Sequence, residues 1–150
     1  MTPTPSTDSD LAAFSAVLDD FLAATRRARG RLGADQELSL SQYHLLRPLL
    51  DRAEPLGVCA LAEAAGVSAP TATRALAVLE REGLVERRPD ADDRRKVRIA
   101  LTDEGLHRVA AKHDRSERRR EQIYRSLTPS ERQTTTRVLA RLAAAIEDLK

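Results

Sequence analysis

The sequence predicts a mainly α-helical chain with one small β-hairpin set into it. Three observations carry this. Apolar residues recur at helical spacing over long stretches near both ends of the chain. Residues 61–79 read as two short helices joined at a glycine, Gly66. Directly after them, two short β-patterned runs flank a turn-rich loop, Pro89-Asp90-Ala91-Asp92-Asp93-Arg94-Arg95.

In chain order, residues 1–9 are rich in Thr, Pro and Ser and are expected to form a disordered tail. From residue 10 to about residue 32, Leu11, Phe14, Val17, Leu18, Phe21, Leu22 and Thr25 trace one stripe of a long first helix, with Gly30 and Gly33 at its fraying end. Ser39 and Gln42 stand at capping-box spacing and open a second helix through Tyr43, Leu46, Leu49 and Leu50. Pro48 interrupts that pattern. It lacks an N–H and crowds the preceding turn, so a kink or a reset of register is expected there. A loop around Pro55-Leu56-Gly57 follows.

Within the paired short helices, Ala62, Gly66 and Val67 sit where a helix-turn-helix needs a small residue, a turn glycine and a buried apolar residue. Gly66 ends the first helix, since a left-handed residue is cheapest as glycine. Ser68 caps the next, with Pro70 in its first turn, where a missing N–H costs little. Ala72, Ala75, Leu76 and Leu79 fall on one face of that helix. The other face shows Pro70, Thr71, Thr73, Arg74 and Ala77; it is small, polar and once basic, which suits entry into a DNA major groove.

Gly83-Leu84-Val85-Glu86-Arg87-Arg88 starts the hairpin. After the loop, Lys96-Val97-Arg98-Ile99-Ala100-Leu101 alternates, with Val97, Ile99 and Leu101 on one side and Lys96 and Arg98 on the other. A hairpin following such a helix is a wing. An arginine at its tip reaches into a minor groove, where negative potential is strongest over narrow A·T-rich DNA.

Beyond the wing, Thr102 caps a helix with Asp103 and Glu104 in its first turn, as the macrodipole prefers. It runs through Leu106, Val109, Ala110 and His113 to about residue 126 and turns strongly basic at Arg118-Arg119-Arg120. Thr128-Pro129-Ser130-Glu131 is a complete helix start: cap, early proline and reciprocal Glu. The last helix carries Val138, Leu139, Leu142, Ala145, Ile146 and Leu149 on a broad apolar face. Together the first and last helices hold more apolar surface than a small winged helix buries alone, so a two-fold homodimer with interlocking terminal helices is expected. The expected organisation is a tail over 1–9 and a single domain over 10–150. In that domain, 10–33 and 103–150 are dimerisation helices and 39–102 is the winged helix-turn-helix.

Three ordered runs make the pattern specific. They are Leu61-Ala62-Glu63-Ala64-Ala65-Gly66-Val67-Ser68 with Thr71-Ala72-Thr73-Arg74; Leu79-Glu80-Arg81-Glu82-Gly83-Leu84-Val85-Glu86-Arg87; and Asp93-Arg94-Arg95-Lys96-Val97-Arg98-Ile99-Ala100-Leu101-Thr102. On these the chain resembles the multiple antibiotic resistance regulator (MarR) family of dimeric winged-helix repressors. The resemblance implies an Asp-x-Arg wing motif at Asp93 and Arg95, with Arg95 in the minor groove and Asp93 holding its side chain. On the residues themselves, Arg74 and Thr71 are expected to touch base edges and Ser68 and Thr73 phosphates, with Pro70 beside them. Arg94 supports Arg95, and Lys96 and Arg98 face phosphates or solvent. A dimer presents two such helices about one DNA turn apart, so the operator should be a palindromic duplex. Relatives often receive small aromatic or phenolic effectors in a cleft beside the second helix, which places His44 and Arg47 as the residues that would line it.

Composition narrows the alternatives. A chain of 150 residues with 32% charged and 41% hydrophobic residues is one soluble domain by length. Aromatics make up only 3% and Trp is absent, which argues against single-strand or RNA binding by base stacking. Net charge is +2, so DNA affinity must come from where the basic residues lie. The lone Cys59 excludes an internal disulfide framework and, beside Val58 and Leu61, reads as a small buried hydrophobe. Relatives that sense peroxides through cysteine carry it near the start of the first helix, where this chain has none. His107 and His113 lie about 120° apart around their helix and do not form an i, i+4 chelating pair. No metal or cofactor is expected. The basic run at 118–120 reads as a solvated helix end.

No leader pattern or apolar run of membrane-spanning length is present in the sequence, which points to the cytoplasm. No nucleophile motif, phosphate loop or acid-base cluster suggests an enzyme. The expected function is transcription regulation, as a repressor released by an effector. A constitutive or activating DNA-binding regulator and a winged-helix protein-interaction module are the alternatives.

Overall fold

A computed structural model describes residues 7–31, 38–52, 54–90, 93 and 96–148. Its elements run α1 (Thr7–Arg31), α2 (Leu40–Leu46), a 3-10 turn (Arg47–Leu49), β1 (Leu56–Gly57), α3 (Val58–Ala65), α4 (Ala69–Arg81), β2 (Val85–Pro89), β3 (Val97–Leu101), α5 (Asp103–Ser126) and α6 (Pro129–Glu147). The fold is mainly α with a small antiparallel sheet, the winged helix-turn-helix that the sequence predicts. The chain divides into two compact units, Met1–Val109 and Ala110–Lys150, with the boundary inside α5.

In the first unit, the core is built from α2 to the start of α5. Tyr43, Leu46, Leu61, Leu76, Leu79, Leu84, Ile99 and Val109 are fully buried in it. Local signals place the surrounding elements. Ser39 accepts from the Gln42 N–H, and the Gln42 side chain accepts from the Ser39 N–H at 2.8 Å, so the capping box at the head of α2 is complete. Pro48 does reset the register: α2 stops at Leu46 and the chain tightens into the 3-10 turn, whose shorter repeat suits a residue without an N–H near its start. Gly66 has φ 66° and closes α3, while the Val67 N–H reaches the Ala62 carbonyl at 3.0 Å. Gly83, at φ 72°, closes α4 in the same way, with the Leu84 N–H on the Leu79 carbonyl at 2.9 Å.

The sheet has the order β1-β3-β2. In register, Val85 faces Leu101, Arg87 faces Ile99 and Pro89 faces Val97. Its third strand corrects the sequence reading. Leu56 and Gly57, expected in a loop, pair with Ile99 and Arg98 on the other edge of β3. Pairing buries Leu56 beside the fully buried Ile99 and gives the open edge of β3 a partner.

The head of α5 is clasped to the end of α4. Thr102 donates its hydroxyl to the Gly83 carbonyl at 2.6 Å and its N–H to the Leu84 carbonyl at 3.1 Å, and it accepts from the Gly105 N–H at 3.0 Å. Gly105 is buried in that first turn. A Cβ there would stand 1.8 Å from the Leu84 carbonyl oxygen, so only glycine allows this approach.

Other expectations need correction. Val67 is 38% exposed, not buried: as the residue just past the left-handed Gly66, its amide is held while its side chain lies at the surface. Cys59 is exposed, because it sits in the first turn of α3 while Leu61 and Ala62 take the inward face. On α5, where the sequence carried no burial assignment, Leu106 lies at the surface and Val109 is fully buried. Residues 7–9, expected in the tail, open α1; the remainder of that tail, residues 1–6, lies outside the described residues, as does Gly33.

The apolar stripe of α1 lies open, with Phe14, Val17 and Phe21 each more than half exposed. In the second unit, α6 starts with its own capping box, Thr128 with Glu131, and buries no residue. The Arg132 guanidinium lies 4.4 Å from the Tyr124 ring centre and donates to the Tyr124 carbonyl at 2.9 Å, tying α6 to the last turn of α5. Val138, Leu139 and Ile146 are exposed, and Leu149 lies outside the described residues.

Candidate nucleic-acid interface

The face of α4 that could read DNA follows from how its other face is used. Ala72, Leu76 and Leu79 have no exposed surface, which fixes the rotation of the helix. Pro70, Thr71, Thr73 and Arg74 are then exposed together, while Ala77 is half-buried at the edge. Ser68 caps α4: its oxygen accepts from the Thr71 N–H at 3.3 Å and lies 2.8 Å from the Thr71 hydroxyl. The Thr73 hydroxyl donates to the Ala69 carbonyl at 2.8 Å, so a donor bond to a phosphate requires its rotation. Arg74 is exposed and, among the described residues, forms no ion pair. Of this set, Arg74 is the one cation, and it is exposed.

The wing continues the same surface chemistry. Arg87 is tied back to Glu80 of α4 at 2.9 Å, which joins that helix to β2. Arg88 pairs with Glu86. Lys96 is exposed at the entry to β3. Arg98, expected to face phosphates or solvent, instead pairs with Asp90. Asp93 lies in the loop with its N–H on Asp90, while Arg94 and Arg95, the expected minor-groove residues, lie outside the described residues. The sequence reading missed Asp90, whose residue is only 6% exposed. Its signal was available: a carboxylate just past β2, opposite a strand that carries an arginine.

His44 and Arg47 do meet in one cleft of about 410 Å³, together with Pro48, Asp51, Arg52 and Ala64. Arg118, Arg119 and Arg120 are exposed along α5, and Arg120 pairs with Glu117. Among the described residues, no group of three His, Cys, Asp or Glu residues is placed to hold a metal ion, and no helix is long and apolar enough to cross a membrane.

Residues 38–97, which span α2 through the wing, match the MarR family. Among curated relatives, this chain is 29% identical over 113 residues to the HTH-type transcriptional regulator YdgJ of Bacillus subtilis, covering 75% of this chain and 68% of that protein. Among solved structures it is similar to Streptococcus pneumoniae FabT in complex with DNA, at 22% identity and TM-score 0.78, covering 93% of this chain and 99% of that one. It is also similar to the PcaV regulator of Streptomyces coelicolor in complex with its natural ligand, at 24% identity and TM-score 0.70, covering 97% and 99%. At these identities the two structures speak for the fold.

Proposed function

We propose that this DNA-binding transcriptional regulator is a homodimeric repressor that holds a palindromic operator and is released by a small aromatic or phenolic effector. The observation that carries the DNA reading is α4 itself. One face is locked into the core, and the opposite face presents Thr71 and Arg74 without a protein covering. Thr71 and Arg74 read base edges, Ser68 and Thr73 approach phosphates beside Pro70, and Lys96 adds charge at the wing. Arg95, supported by Arg94 and held by Asp93, enters the minor groove. The neighbour FabT, solved with DNA, supports a protein of this fold on a duplex.

The open stripe on α1 and the uncovered apolar residues of α6 support the homodimer, since a second copy supplies the missing cover. The cleft at His44 and Arg47 supports an effector: two nitrogen-bearing side chains beside Pro48 suit an aromatic ring with an acidic group. Release then requires only that the effector bind one arrangement of the dimer better than the DNA-bound one.

The test is binding of the full chain to its own upstream DNA as salt is raised, with wild type and Arg95→Ala compared. Tight, salt-steep binding by wild type that is weakened in the mutant supports the reading. Binding no tighter than to a random duplex overturns it for that DNA, and selection of bound genomic fragments then decides between another operator and a protein partner. A panel of phenolic acids added to the complex tests release; a complex that none of them weakens is a constitutive regulator.

A further inference from the structure

We propose that Ser68 sets the hydrogen-bond polarity of Thr71: the Thr71 hydroxyl donates to Ser68 and meets DNA as an acceptor, which selects a base with an exocyclic amine, adenine or cytosine. This role rests on α4 entering a major groove, as proposed above. Three hydroxyls stand exposed at that end of the helix, those of Ser68, Thr71 and Thr73. Each has one proton to give and two lone pairs. The Thr73 proton goes to the Ala69 carbonyl at 2.8 Å. A second proton lies between the Ser68 and Thr71 oxygens, which are 2.8 Å apart, and either oxygen is able to supply it. Whichever of the two keeps its own proton is the outward donor of the three.

The neighbouring backbone decides between them. A phosphate at the start of a helix ordinarily finds several N–H groups. Here Pro70 has none, the Thr71 N–H is taken by the Ser68 hydroxyl oxygen at 3.3 Å, and the Ala72 N–H by the Ser68 carbonyl at 2.9 Å. What this turn has left to give a phosphate is the Ala69 N–H and a hydroxyl proton. Phosphate oxygens only accept, so a Ser68 proton aimed at Thr71 would set Ser68 lone pairs against them. With Thr71 as the donor every group is satisfied. Ser68 accepts from the Thr71 N–H and the Thr71 hydroxyl on its two lone pairs, and its own proton is free for the phosphate. Thr71 then turns only lone pairs toward the groove. They accept from the amine of adenine or cytosine and are repelled by the carbonyl oxygens of thymine and guanine. Arg74, three residues on along the same exposed face, carries donors alone and reads the opposite polarity.

The probe is a duplex selected from a random-sequence pool by the full wild-type chain, with Thr71→Val measured beside it. The base pair whose identity matters to wild type and not to Thr71→Val is the one that Thr71 reads. At that pair the amine is removed by placing unsubstituted purine for adenine, or pyrimidinone for cytosine; in a second duplex the carbonyl is weakened by a thio analogue of thymine or guanine. Loss of the amine should weaken wild type about fivefold more than Thr71→Val, and the thio analogue should affect the two proteins equally. Ser68→Asp is able only to accept, so Thr71 still donates to it. Dependence on the amine is kept there, while every sequence is bound more weakly for want of the phosphate donor. Ser68→Ala frees the Thr71 proton, and the reversed base pair, which exchanges amine and carbonyl, should then be bound nearly as well as the selected one. Loss of the helix cap alone would weaken both orientations equally and leave their ratio unchanged. Should Ser68→Ala fail to fold, Ser68→Gly, which gives up less at a cap position, carries the same expectation.

Equal sensitivity of wild type and Thr71→Val to loss of the amine, a dependence on the carbonyl in its place, or an unchanged orientation ratio in Ser68→Ala overturns the inference while leaving the DNA reading intact. If no base pair distinguishes Thr71→Val from wild type, Thr71 reads no base and the inference fails with that assignment. If wild type enriches no sequence from the pool, the DNA reading itself fails.

Discussion

Gly105→Ala is the substitution for which the fold makes its sharpest quantitative statement. By helix propensity alone, replacing a glycine in α5 with alanine should stabilise the protein by about 1 kcal/mol. The packing says the opposite. The added carbon would lie 1.8 Å from the Leu84 carbonyl oxygen and 2.8 Å from its carbon, and both are backbone atoms that no rotamer change can remove. Helix and turn must separate by roughly 1 Å or more to restore ordinary contact. That movement pulls apart the two bonds from Thr102, N–H to Leu84 and hydroxyl to Gly83, each contributing about 1 kcal/mol. Residual overpacking adds about 1–3 kcal/mol. After the propensity gain, the net loss is about 2–4 kcal/mol. Urea unfolding followed by circular dichroism, at one fixed protein concentration, should show a lower midpoint with an unchanged slope. A midpoint equal to or above that of wild type would refute the close-approach argument.

Three other outcomes are expected. Arg74→Ala should relax selectivity at one base position per half-site, costing about 1–3 kcal/mol on the preferred sequence, as read by selection from a random pool before and after mutation. Phe14→Glu combined with Phe21→Glu should convert the proposed dimer to a monomer in sedimentation equilibrium while the core around Tyr43 still melts cooperatively; a dimer that persists would exclude the α1 stripe as its contact. The backbone N–H and then the hydroxyl of Thr128 hold the Glu131 carboxyl below the usual carboxylate range. A depressed folded value gives stability that is present above the unfolded value and lost as pH falls through the folded one, so wild type should lose α6 stability in acid. Glu131→Gln should flatten that loss.

Features decided within a few residues were legible in the sequence. The capping boxes at Ser39 and Thr128, the left-handed Gly66 and the buried face of α4 each depend on a local pattern, and each lies where the pattern puts it. Features decided by distant partners were not. Leu56 reads as loop because its strand exists only against Ile99, far along the chain. Cys59 and Val67 are apolar neighbours of buried residues, yet local direction, not hydrophobicity, decides that they face outward. Asp90 reads as one of several turn acids, and only the register of β2 on β3 reveals that it faces Arg98. The exposed face of α4 was thus legible residue by residue, while the Asp90–Arg98 pair was not.

The open stripe of α1 also bears on how the regulator responds to its own abundance. If the reading heads fold on the core between Leu38 and Val109 but the terminal helices gain cover only by pairing, protomers and dimers are linked by mass action. Below the dimer dissociation constant, the amount of DNA-competent species rises with the square of protomer concentration. For the proposed homodimeric repressor, operator occupancy then follows a threshold, and a modest fall in expression releases the gene more completely than it would for a single-site binder. Substitutions that deepen or weaken the α1 stripe would move that threshold without touching the residues that read DNA.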